Sequence, residues 1–121
     1  MIPVYELART VATRIASADQ EAELTEEVGR ITRGEAGSQH LVATEIIVLA
    51  ALIVQICAVI AELAKLVNTF VERPRHDQLL AVLARLAELS GDEGVKNNER
   101  ITTVASVALD VLTEKGKGGK S

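Results

Sequence analysis

Apolar positions recur every three to four residues over most of this 121-residue chain, and no run alternates at period two for long enough to make a strand. A first helix over residues 4–17 sets Val4, Leu7, Ala8, Val11 and Ile15 on one face, and Pro3 suits its opening turn. In "SADQEAELTEEVGRI", Asp19 is placed to cap a second helix, and acidic residues crowd its first turn, where a helix N-terminus favours negative charge. The stripe of that helix is thin, Leu24, Val28 and Ile31, which leaves open a reading in which it continues the first helix. "RGEAGSQ", residues 33–39, reads as a loop from its glycines and small polar residues.

A long helix is then predicted over about residues 40–72, stopping before Pro74 because a residue ahead of proline avoids the α region. A fourth helix, "HDQLLAVLARLAELS", carries Leu79, Leu80, Leu83, Leu86 and Leu89 on its buried side, with Gly91 available for a left-handed closing turn. Asn97 or Asn98 can cap a fifth helix facing inward through Ile101, Val104, Ala108 and Val111. The pattern predicts an all-α fold, a four- to five-helix bundle around the long apolar central helix. Residues 1–115 form one helical domain in this reading, and 116–121 a flexible basic tail.

The centre of the long helix raises a separate question. "IIVLAALIVQICAVIA", residues 46–61, holds ten Ile, Leu or Val residues and four Ala. Sixteen residues rise about 24 Å, short of the ~30 Å hydrocarbon core of a bilayer. Extending the span draws in Glu45, or Glu62 and Lys65, and sets Gln55 near the middle. No aromatic belt flanks it, and basic residues on both sides give no orientation. Thr44, Val48, Ala51, Gln55, Ala58, Glu62, Lys65 and Thr69 follow alternating steps of four and three, so they share one narrow face that is small or polar except at Val48. The other faces are almost wholly aliphatic and must be surrounded by protein or lipid. Because each remaining helix is amphipathic and needs an apolar surface to cover, the expectation is a buried helix with that narrow face at its edge. The alternative is a single-span membrane protein with residues 41–67 inserted.

Composition narrows the function classes. The net charge of −4 and an aromatic content of 2% disfavour nucleic acid, which calls for basic stripes and flat rings. The single cysteine, Cys57, makes no internal disulfide and fits a reducing compartment; among Ile and Val it reads as an inert core thiol. No apolar leader opens the chain. "LARTVATRIAS" has the Arg/Ser/Ala character of an organellar presequence, but Glu6 and Asp19 make it an ordinary helix. The C-terminal "GKGGKS" departs from a phosphate-binding loop at Glu114, where the first glycine belongs. "GDEGVKNNE" lacks the ligand register of a calcium loop, and His40 and His76 lack the partners of a zinc site.

Six residues separate Arg33 from His40, a spacing that resembles the R-x(4–6)-H signature of HEPN-type ribonucleases, which are small helical dimers. The resemblance implies that this Arg and His would act together on RNA. It covers two residues, and Gly34, Gly37 and Ser38 interrupt the segment. A capping or solvated His40 is the plainer reading. No convergent titratable groups suggest catalysis, so no catalytic, cofactor-binding or metal-binding residue is assigned. The expectation is a non-enzymatic, cytoplasmic module acting through a homo-oligomer or a larger protein partner, such as an adaptor, a regulatory subunit or a component associated with a bacterial effector. Its contact residues would be Thr44, Ala51, Gln55, Ala58, Glu62 and Lys65. A membrane-associated protein is the alternative, and a HEPN-like helical ribonuclease the third.

Overall fold

The computed structural model describes residues 3–34, 44–67 and 69–118, the last four of these by their backbone alone. Among them are five α-helices and no strand: α1 (Val4–Ile15), α2 (Glu21–Thr32), α3 (Thr44–Leu66), α4 (Arg75–Ser90) and α5 (Glu99–Gly118). The all-α bundle around one long apolar helix is therefore the fold. Helix α1 packs on α2, α3 and α5, while α4 packs on α3 and α5. The order round α3 is thus α2, α1, α5, α4, and the uncovered side of α3 lies between α2 and α4.

Each helix start and stop has a local cause. The amide of Leu7 reaches the carbonyl of Pro3, which sits at the α1 boundary in extended backbone. Asp19 does not cap α2. Its carboxylate accepts from the Ser17 hydroxyl at 2.7 Å inside the connecting turn, and Gln20 occupies the cap position without a side-chain bond. Gly91 closes α4 at φ 70°, a left-handed conformation that costs glycine little. Asn98 caps α5 by accepting from the Ile101 amide at 3.2 Å.

The central helix is shorter than the predicted 40–72. Its described part ends at Leu66, and Phe70–Glu72 forms a single 3-10 turn. Turning there carries Phe70, fully buried, back under the bundle, where its carbonyl accepts from the buried Gln78 amide at 3.0 Å. Arg73 is extended ahead of Pro74, as the proline requires, so that rule set only the latest possible stop. At the other end, residues 40–43 lie outside the described residues. Helix α5 continues through Gly118, into the segment read as a tail, and 119–121 also lie outside.

The core is aliphatic and gathers on α3. Ile46, Ala50, Ile53, Ile56, Cys57, Val59 and Ile60 are buried there, against Leu7 and Val11 of α1, Leu24 and Val28 of α2, Val82 and Leu86 of α4, and Val104, Ala108 and Leu109 of α5. The predicted face of α4 is partly wrong. Leu83 and Leu86 are buried and Leu79 half-buried, but Leu80 and Leu89 stand in solvent and Gln78 and Val82 go inward. Leu80 points away from the α3/α5 side, and Leu89 lies in the last turn.

Candidate functional site

Enclosure of α3 is one-sided, and 39% of its most apolar 18-residue stretch is buried. The narrow face identified by spacing is the exposed one. Thr44, Val48, Ala51, Gln55, Ala58 and Lys65 are all exposed, and Glu62 is half-buried. Two flanking residues escaped the spacing argument: Ile47 (41% exposed) and Leu66 (71%). Both are apolar and read as core by type, yet Ile47 lies one turn before Ala51 and Leu66 one turn after Glu62. With Val48 at 52%, they make the open face more apolar than its small and polar residues suggest.

Glu62 already has an intramolecular partner. Arg85 of α4 donates from Nε to its Oε1 at 2.8 Å, and from Nη1 to Glu88 Oε2 at 3.2 Å. Its hydrogen bond to Glu62 is the main reason the Arg85 guanidinium holds its proton more tightly than usual. This pair bounds one edge of the open face. Two further ion pairs anchor α5: Arg14 of α1 meets Glu114 through both guanidinium nitrogens, one at 2.7 Å, and Arg75 of α4 meets Asp110. None of these cross-helix pairs was visible in sequence, since each joins helices whose registers the sequence leaves open.

A buried charge cluster on α2 also went unread. Arg30 is buried beside Glu27, with Nη2 2.6 Å from Glu26 Oε1 and Nη1 3.3 Å from Glu27 Oε1. Spacings of three and four residues put these groups on one side of a helix, which was the available signal. The cluster neutralises charge that would otherwise be costly to bury.

The remaining candidates take structural roles or fall outside the description. Cys57 is buried among Ile and Val, and that burial pushes its thiol up to about 12, so the thiolate is scarce at neutral pH. Arg33 ends α2, with its guanidinium lying back over Gly29 near Tyr5. His40 lies outside the described residues. Asp92 accepts from the Gly94 amide at 2.8 Å and starts the 3-10 segment Glu93–Asn97, so "GDEG" is a capped turn. Among the described residues, no three His, Cys, Asp or Glu side chains converge as a metal site would need. Comparison with protein-family models, with curated proteins and with solved structures found no match for the chain.

Proposed function

We propose that the protein is a non-enzymatic helical interaction module, a cytoplasmic adaptor or regulatory subunit whose contact surface is the open face of α3. One observation carries this reading. The central helix is sealed on one side by four helices, while the other leaves Ile47, Val48 and Leu66 in water beside small side chains. Exposed apolar patches rimmed by polar residues mark protein contacts more often than chance. The test is Val48→Glu in the full chain, which removes apolar contact without touching the core. The variant is expected to melt like the parent while its co-elution with partners or with itself shifts to smaller size. Unchanged co-elution overturns the reading.

A second reading rests on the same helix. At 23 residues, α3 rises about 35 Å and is apolar enough to cross a bilayer. Insertion would require α1, α2, α4 and α5 to give up the surface on which Leu7, Val28, Leu86 and Leu109 are buried, and that cost favours the soluble module. Fractionation without detergent separates the two. Recovery solely with membranes supports the span, and recovery in the soluble fraction supports the module.

A further inference from the structure

We propose that the surface docking on the open face of α3 is the same face of a second copy, packed antiparallel about a two-fold axis near Gln55. This rests on reading that face as a contact surface, and it names the partner. The exposed positions step by four and three along the whole helix, the repeat of a helix–helix seam rather than of a groove for an extended peptide. Ala51 and Ala58 sit either side of Gln55, so two such helices approach most closely at their middles, with bulkier Val48 and Leu66 filling the diverging ends. Gln55 carries both donor and acceptor atoms on its amide, and a two-fold axis lets each amide serve the other.

Charge selects the orientation. Glu45 lies in the first turn of α3 and Lys65 in the last. A parallel pair would stack Lys65 on Lys65 and Glu62 on Glu62. An antiparallel pair brings Glu45 of one copy level with Lys65 of the other at both ends, and opposes the two helix dipoles favourably. The same face on both copies closes the assembly at two, without an exposed second surface to propagate it.

Light scattering on the full chain, without detergent, reads the stoichiometry, and cysteine cross-linking reads the orientation. Buried Cys57 leaves the introduced thiols as the reactive ones. Under mild oxidation a mixture of Val48→Cys and Glu62→Cys chains, which the axis near Gln55 sets level, is expected to yield covalent dimer, and Val48→Cys alone very little. Ala58→Glu, at an exposed position, is expected to weaken dimerisation at least about tenfold with unchanged melting. Cross-linking of Val48→Cys with itself overturns the antiparallel arrangement while leaving the contact face in place. A parent chain that is monomeric at all concentrations overturns the second copy as partner, and the Val48→Glu co-elution result then judges the contact face separately. A dimer indifferent to Ala58→Glu overturns the second copy as the occupant of this face.

Discussion

Arg85 on α4 and Glu62 on α3 are joined side chain to side chain at 2.8 Å, so a carboxylate on the otherwise open face of the central helix is held by the chain itself. Both side chains keep more than a third of their surface in water, at 35% and 39%. An exposed pair of this kind contributes little, and salt screens it. A double-mutant cycle with Glu62→Ala and Arg85→Ala, read by urea unfolding, is expected to show a small favourable coupling at low ionic strength that vanishes near 1 M salt, where the Debye length is about 3 Å. A coupling that persists unchanged in high salt would mean that the pair is far drier than its exposure indicates.

Neighbouring positions on α3 should respond in opposite ways. Ile56 is fully buried, whereas Gln55 beside it is exposed. Ile56→Asp places an uncompensated carboxylate among aliphatic side chains, a cost of several kcal/mol against a typical total stability of about 5–15 kcal/mol. The helical circular-dichroism signal of that variant is expected to be lost or to melt far below the parent. Val54 is half-buried, so Val54→Asp should do less damage. Gln55→Leu should leave melting unchanged and alter association alone. Equal melting of the Ile56→Asp variant and the parent would contradict the packing.

The turn after α3 is tied to α4 by one buried side-chain hydrogen bond. Gln78 donates from Nε2 to the carbonyl of Phe70 at 3.0 Å, and both residues are buried. Gln78→Ala removes that donor and leaves the carbonyl only the Arg73 amide at 3.2 Å, so the loss should be that of one hydrogen bond, about 0.5–1.5 kcal/mol. Phe70→Ala should cost about 3–5 kcal/mol through lost burial and the cavity left behind. Denaturant unfolding checks both. Phe70→Ala keeps the backbone carbonyl, so any shortfall of the double variant from the sum of the singles measures how far the ring holds that carbonyl in reach of Gln78.

What could be read from the sequence divides along physical lines. Helix existence and the exposed face of α3 were legible because a 3.6-residue repeat is a local property, and Gly91 and Asn98 announced their caps by residue type. The early stop of α3 was not legible, since it arises from Phe70 finding a buried seat and Gln78 supplying a donor eight residues later. Side-chain type misled in α4, where Leu80 and Leu89 are as apolar as Leu83 but face water. Which leucine is covered depends on where α3 and α5 end, and a helical period alone does not carry that information. The same limit hid Ile47 and Leu66 from the contact-face assignment.

The ion pair between α1 and α5 gives the fold an acid sensitivity with a definite sign. Hydrogen bonding from Arg14, followed in order by opposing desolvation and then by Coulombic attraction to Arg14, holds the Glu114 carboxyl below its ordinary range. A group whose folded-state pKa is depressed stabilises the fold above its unfolded pKa, near 4.3 for Glu, and that contribution disappears as pH falls through the folded value. Arg14 stays charged throughout, its own pKa raised chiefly by the same hydrogen bond. The parent chain should therefore lose stability relative to Glu114→Gln as pH drops from 5 towards 2, roughly the carboxylate window. Both carboxylate and guanidinium are well exposed, so the difference should be modest and should shrink in salt. The check is a pair of melting-temperature series in pH, one for each chain. Curves that stay parallel across this window would show that Glu114 titrates the same way folded and unfolded, and that the Arg14 contact does not hold α5 to α1 in solution.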